Sequence, residues 1–122
     1  MATIRPAELD ERLKTGDAPF VLDVRPRLAY QDGAIQSSHN VPVYDDLRTG
    51  DESTLRERLD EIPRDEEVVV VCKRGIVAKR ATSLLADEGY DAATLLGGMS
   101  GWNGYQTGSL GYKIRSVLWK LR

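Results

Sequence analysis

The sequence predicts a single domain of the α/β class, and three observations support this prediction. Short apolar segments alternate with helical patterns along the chain. One segment contains four consecutive valines at residues 68–71, as expected for a central parallel strand covered on both faces. The length of 122 residues fits one domain whose core needs neither disulfides nor metal.

Four segments are predicted to be strands, because each is short and apolar and is bounded by turn-forming or charged residues. The third of them has the most continuous apolar run and is therefore expected at the centre of the sheet. In chain order, the predicted strands cover residues 20–22, 39–43, 67–71 and 93–96.

Three segments are predicted to be helices, because their leucines and alanines recur at helical spacing. Gly16 ends the first helix, Pro63 ends the second, and Gly89 caps the third. The acidic stretch after the second strand is predicted to be a solvated loop, since it lacks the spacing of a calcium site. The helices cover residues 7–14, 55–62 and 78–88, and the acidic loop covers residues 45–52.

The charge distribution divides the chain into an acidic body and a basic tail. Residues 1–104 contain 13 lysines and arginines against 19 aspartates and glutamates, a net charge of −6, whereas residues 105–122 carry +4. An acidic body is a poor binder of nucleic acid, because phosphate contacts need clustered cations. We therefore expect no nucleic-acid partner.

The basic tail has an amphipathic pattern if it is helical. Ile114, Val117, Leu118 and Leu121 then share one face, which is flanked by cations. We expect this face to dock on the domain itself, because an exposed apolar stripe favours aggregation. Contact with a membrane surface is the alternative. The predicted organisation is a domain of residues 1–105 and an extension of residues 106–122.

The cysteine content and the N-terminus indicate a cytoplasmic location. The first residues lack the apolar core of a signal peptide, and the longest apolar run, residues 68–72, is too short to cross a bilayer. A lone cysteine stays reduced in the cytoplasm and excludes an internal disulfide. With a single histidine in the chain, it also argues against a metal site.

Cys72 is the candidate nucleophile, because it directly follows the predicted central strand. Ligands of open parallel sheets bind outside the carboxyl ends of the strands. The loop of residues 73–77 leads into a helix, so its backbone amides can converge on an anion. Gly75 provides the backbone freedom for such a loop, while Lys73, Arg74 and the helix dipole favour a thiolate. The alternative is an inert core cysteine at a strand end.

Five motifs make this sequence resemble a single-domain rhodanese. They occur in the family's order and extend over about residues 3–105. The resemblance implies a mostly parallel sheet of five strands flanked by helices on both faces. The motifs are Asp23-Val24-Arg25, Tyr30-Gln31-Asp32-Gly33-Ala34-Ile35, Asn40-Val41-Pro42, the strand and loop of residues 68–75, and Leu95-Leu96-Gly97-Gly98-Met99 with Trp102.

The resemblance implies a sulfurtransferase that needs no metal or organic cofactor. Cys72 would accept a sulfane sulfur from thiosulfate or from a persulfide donor and become a persulfide. The sulfur would then pass to a thiol or to cyanide. The groups implied to bind the transferred sulfur are the backbone amides of Lys73, Arg74, Gly75, Ile76, Val77 and Ala78.

Two loop positions depart from the family pattern, which often has an arginine five residues after the cysteine and then serine or threonine. Val77 and Ala78 occupy these positions. We expect weak use of thiosulfate, because the arginine would bind this anion, and a persulfide donor is the preferred hypothesis. The departures also leave open a catalytically weak binding or regulatory module. A phosphatase of this fold needs arginine at position 78, so Ala78 argues against that activity.

Several other residues have structural and functional interpretations. Arg25 either steers an anionic substrate or pairs with a neighbouring group such as Asp23. A dyad of His39 with the cysteine is the less favoured interpretation, because nothing in the sequence brings the two together. Asn40 is expected to bond to the backbone near a strand end. Trp102 is expected to anchor the core.

Overall fold

The structure of the protein is a computed structural model in which residues 2–108 are described. Five strands form one sheet in which every adjacent pair is parallel. The strands are β1 (Thr3–Ile4), β2 (Phe20–Asp23), β3 (His39–Asn40), β4 (Val68–Val71) and β5 (Ala92–Leu95). Their order across the sheet is β1-β5-β4-β2-β3, which confirms the predicted parallel sheet and places the valine strand at its centre.

The valines of β4 alternate between two hydrophobic cores, one on each face of the sheet. Val68, Val70 and the following Cys72 belong to one core, whereas Val69 and Val71 belong to the other. This alternation follows from the two-residue period of a strand. All four valines are buried because helices cover both faces, as predicted for a central parallel strand.

Helices cover the sheet on both faces and contribute to both cores. Leu9 of the first helix and Trp102 of the last pack on one face, and Leu47, Leu55 and Leu84 pack on the other. Residues 98–108 form the last helix, α6. The other helices are α1 (Pro6–Thr15), α2 (Arg27–Asp32), α3 (Tyr44–Arg48), α4 (Ser53–Arg56) and α5 (Ala78–Asp87).

Three predicted details are wrong. The acidic loop contains α3, because Leu47 is completely buried and fixes one turn of helix on the sheet. The helix predicted over residues 55–62 is divided into α4 and a 3₁₀ turn at Leu59–Glu61. It ends in an extended residue, Ile62, because the following Pro63 disfavours helical geometry there. The strand predicted over residues 39–43 ends at Asn40, because only His39 and Asn40 pair with β2.

The predicted C-terminal extension lies mostly outside the described part of the chain. Helix α6 continues through the predicted boundary at residues 105 and 106 and reaches residue 108. The proposed apolar face at residues 114–121 lies outside the described residues, so its docking stays a prediction. Within residues 2–108, no helix has the length and apolar character needed to cross a bilayer.

Candidate active site

Cys72 occupies the carboxyl edge of the sheet, immediately after the central strand β4. Its side chain is buried, with 1% of its surface exposed. Two backbone amides point at its sulfur: the amide of Gly75 donates to Sγ across 3.0 Å and that of Ala78 across 3.4 Å. The loop can curl around the sulfur because Gly75 adopts a positive φ of 85°.

The active loop, residues 73–77, has further backbone amide donors close to the Cys72 sulfur. Within the described part of the chain, the amides of Arg74, Ile76 and Val77 donate no hydrogen bond to another protein group. Helix α5 begins at Ala78, so the sulfur also lies at the positive end of a ten-residue helix. This arrangement of amides favours negative charge on Cys72 or on an atom bound to it.

The active loop rests on the start of α6. The amide of Met99 donates to the carbonyl oxygen of Cys72 across 2.8 Å, and the amide of Ser100 donates to that of Lys73 across 2.9 Å. Gly98 makes this approach possible, because a Cβ atom there would lie 2.3 Å from the Cys72 oxygen. Gly98, the second residue of the double glycine noted in the sequence, therefore has a specific role in shaping the site.

A pocket of about 400 Å³ adjoins the buried cysteine. It contains three cations, of which Lys73 and Arg74 come from the active loop and Arg48 comes from α3. Neither Arg48 nor its helix neighbour Tyr44 was predicted as a site residue, because Arg48 lies in the stretch predicted to be a loop and Tyr44 directly precedes that stretch. The residues lining the pocket are Tyr44, Arg48, Cys72, Lys73, Arg74, Ile76 and Val77.

The two positions that depart from the family pattern contribute to packing instead of polar contacts. Val77 is half-buried against the core that contains Cys72, and Ala78 is completely buried within that core. The main-chain amide of Ala78 nevertheless reaches the sulfur. The loop thus keeps its amide donors and lacks an arginine and a hydroxyl beside them.

Arg25 forms a buried ion pair and does not line the cysteine pocket. Its Nη2 donates to Oδ2 of Asp23 across 2.8 Å and to the carbonyl oxygen of Gly33 across 2.7 Å. Asp23 is 1% exposed, so the pair is shielded from water. These contacts support the structural interpretation of Arg25. Arg25 lines a neighbouring cavity of about 750 Å³, which shares Tyr44 and Lys73 with the cysteine pocket. Its role toward a substrate stays a prediction.

The other singled-out residues lie outside the reaction centre. Asn40 donates through Nδ2 to the carbonyl oxygens of Asp23 and Arg25 at 2.9 and 3.0 Å, which confirms its predicted backbone contacts. Nε2 of His39 lies 2.9 Å from Oε1 of Glu61, so this histidine pairs with a carboxylate and forms no dyad with the cysteine. Trp102 is buried, as predicted for a core anchor.

Comparison with known families tests the resemblance. The family model for the Rhodanese-like domain matches residues 5–105. The chain belongs to the rhodanese-like domain family. The match covers strands β2 to β5 and the active loop, and it confirms the family that the five sequence motifs indicate.

Relatives of this rhodanese-like domain include proteins named as sulfurtransferases. The maize "Adenylyltransferase and sulfurtransferase MOCS3-1" is 33% identical over 88 residues, which are 71% of this chain and 18% of that protein. The chain therefore spans less than a fifth of the maize protein. The "Putative sulfurtransferase YtwF" of Bacillus subtilis is 26% identical over 102 residues, with 83% of this chain and 89% of that protein covered.

A solved structure has the same fold over nearly its whole length. The rhodanese-related protein of Thermoplasma volcanium superimposes with a TM-score of 0.72 and is 30% identical. The alignment covers 86% of this chain and 93% of that protein. The parallel sheet with helices on both faces is thus a rhodanese-like fold.

Proposed function

We propose that this rhodanese-like domain is a sulfurtransferase that carries a sulfane sulfur as a persulfide on Cys72. The observation that supports this most strongly is the pair of amides, from Gly75 and Ala78, that donate to Sγ at 3.0 and 3.4 Å. An outer sulfur bound to Sγ would carry negative charge. The amides of Arg74, Ile76 and Val77 are available to bind it, and such fixed donors stabilise charge without reorganising.

The reaction balances as two displacements at sulfur. With thiosulfate as donor, the Cys72 thiolate attacks the outer sulfur, the bond between the two thiosulfate sulfurs breaks, and its electron pair leaves with sulfite. In the second step, a thiolate or cyanide attacks the outer sulfur of the persulfide. The bond between that sulfur and Sγ breaks, and the electron pair returns to the Cys72 thiolate. Neither step consumes an external oxidant or reductant.

A persulfide is the preferred donor in this proposal, and thiosulfate is a weaker one. Val77 occupies the place of the arginine that would bind the thiosulfate anion in the loop. The names of the maize and Bacillus subtilis relatives support sulfur transfer as the reaction class. We also propose a cytoplasmic location, because the nucleophile must be a reduced thiol.

Intact-mass spectrometry of the whole chain tests the proposal. The protein is incubated with thiosulfate or with a persulfide donor, and each product is then treated with cyanide. We expect the mass to rise by one sulfur atom and to return to its starting value after cyanide. Cys72→Ser is the control, and it should fold and gain no sulfur. If a folded wild-type protein with a free thiol gains no sulfur from either donor, the proposal is wrong and a binding module becomes the better hypothesis.

A further inference from the structure

The charged residues that line the pocket beside Cys72 are all cationic. They are Arg48, Lys73 and Arg74, and the lining contains no aspartate or glutamate. Among the described residues, none of these three cations forms an ion pair, although Asp45 lies one turn before Arg48 on α3. Uncompensated cations around a pocket raise the local concentration of anions.

Arg48 is carried by a helix that is fixed to the active-site helix. Leu47 is completely buried in the core that also contains Cys72. Its carbonyl oxygen accepts a 3.0 Å hydrogen bond from Nη1 of Arg80, which belongs to α5. The backbone next to Arg48 is thereby tied to the helix that begins at the sulfur, and the exposed Arg48 lines the pocket beside it.

We propose that Arg48 is a substrate-binding residue that holds the anionic end of the sulfur donor in the Cys72 pocket. The inference rests on the proposed function and names its donor class: a small sulfur donor with an anionic group, such as a sulfonate or a carboxylate. In the thiosulfate reaction, Arg48 contacts the sulfonate, and it stays with the departing sulfite when the sulfur–sulfur bond breaks. Arg48 thus supplies from α3 part of the charge that Val77 does not supply from the loop.

Alkylation of Cys72 separates anion binding from sulfur transfer. Iodoacetate and iodoacetamide alkylate a thiol by the same displacement, but only iodoacetate is an anion. We expect Arg48→Gln to lower the ratio of the iodoacetate rate to the iodoacetamide rate about two- to fivefold, the size expected for one partly solvated charge contact. Arg48→Lys should restore most of the ratio, because it restores the charge.

Arg27→Gln is the matched control. Arg27 is exposed at the start of α2, forms no ion pair within the described residues and does not line the pocket, yet its loss changes the net charge equally. We expect this variant to keep the wild-type ratio. Equal ratios for Arg48→Gln and Arg27→Gln would overturn the inference. A wild-type thiol that reacts with neither reagent would also overturn it, because the pocket would then not admit small anions.

Sulfur loading provides the second measurement. We expect Arg48→Gln to gain sulfur from thiosulfate about two- to fivefold more slowly than Arg27→Gln. If the wild-type protein gains no sulfur from thiosulfate or from a persulfide donor while its alkylation ratio depends on Arg48, the proposed function fails and the anion site itself is supported. If Arg48→Gln and Arg27→Gln load sulfur equally fast and have the same ratio of iodoacetate to iodoacetamide rates, the proposed function stands and the role proposed for Arg48 is wrong.

Discussion

The main chain of Gly98 lies directly against the carbonyl group of Cys72. A Cβ atom at position 98 would be 2.3 Å from that oxygen and 2.8 Å from the amide nitrogen of Arg74. The next residue, Met99, donates its amide to the same Cys72 oxygen across 2.8 Å. The shape of the active loop therefore depends on a glycine that is 26 residues away in the sequence.

Replacing Gly98 with alanine should disrupt the active loop. The added Cβ cannot be accommodated at 2.3 Å, and the φ of 55° is unfavourable for alanine. We expect the free energy of unfolding to fall by at least about 2 kcal/mol and sulfur loading of Cys72 to slow. Urea denaturation and intact-mass kinetics measure the two effects.

Gly104→Ala is the control for this prediction. Gly104 lies in the same helix, α6, and a Cβ there would meet nothing within 4 Å. We expect this change to stabilise the protein by about 0.5–1 kcal/mol, since alanine is the better helix residue. If Gly98→Ala is as stable as Gly104→Ala, the close contact with Cys72 is not a constraint on the loop.

Restoring an arginine at position 77 should improve the use of thiosulfate. Val77 lines the pocket beside Cys72, so an arginine there would have access to the sulfonate group. We expect Val77→Arg to load sulfur from thiosulfate about tenfold faster than the wild-type protein, as for one added charge-assisted contact. Loading from a persulfide donor should change less.

Ser83→Arg adds the same charge at an exposed position of helix α5, which follows the active loop, and serves as the control. It should load sulfur at the wild-type rate. If Val77→Arg gains no more than Ser83→Arg, the missing arginine does not limit the thiosulfate reaction, provided that thermal unfolding shows both variants to be folded.

The sequence was sufficient to predict the parallel sheet and the position of Cys72 at its carboxyl edge. Residues 68–71 are apolar on both faces, and this pattern is typical of a strand with helices on both sides. Placing Cys72 at the end of that strand, before a glycine-containing loop and a helix, then follows from local sequence alone. The family motifs added the topology, because they fix the order of elements that periodicity leaves open.

Arg48 could not be found in this way. The stretch around it contains Asp45, Asp46 and Asp51, which suggest a solvated loop when they are read locally. Helix α3 forms because Leu47 is buried against β-sheet residues distant in sequence, and such tertiary contacts override local propensity. The part of the site that comes from α3 therefore required the structure.

Removing the charge of Asp23 should destabilise the fold strongly. Asp23 and Arg25 form an ion pair in which both side chains are at least nine-tenths buried. Asp23→Asn leaves the Arg25 guanidinium without its counter-charge, which typically costs about 3–5 kcal/mol. Urea denaturation at neutral pH measures the change. Asp17→Asn removes one of two exposed partners of Arg12, the other being Glu67, and should lower the free energy of unfolding by less than about 1 kcal/mol.

The same pair allows a test of the role of Arg25. Arg25→Lys keeps the charge but loses the simultaneous contacts to Asp23 and Gly33. If Arg25 acts only in the structure, the variant should be less stable, while its folded fraction should load sulfur at the wild-type rate. If Arg25→Lys is fully folded and still loads sulfur more slowly than the wild-type protein, the result would instead support the predicted contact of Arg25 with the substrate.

Glu61 should make the stability of the domain depend on acidic pH. Its carboxylate accepts hydrogen bonds from Arg58 and His39, and these contacts lower its pKa from 4.5 to about 2, with the contact to Arg58 the larger cause. Because the pKa of Glu61 is lower in the folded state than in the unfolded chain, the ionised carboxylate stabilises the fold at every pH above the pKa of the unfolded chain. This stabilisation is fully present above pH 4.5 and is lost as the pH falls toward 2.

Glu61→Gln removes this dependence. The Glu61 side chain is 31% exposed, so solvent screening reduces the expected loss at neutral pH to about 1 kcal/mol. The difference in the free energy of unfolding between this variant and the wild-type protein should become smaller as the pH is lowered below 4.5, because the wild-type carboxylate is then increasingly protonated. Urea denaturation in buffers of different pH measures this difference.

Glu57→Gln is the control, because Glu57 is an exposed glutamate with no ion pair among the described residues. Its free energy of unfolding should differ from that of the wild-type protein by the same amount at every pH in the series. A constant difference for Glu61→Gln across the acidic range would mean that the two hydrogen bonds do not favour the charged form.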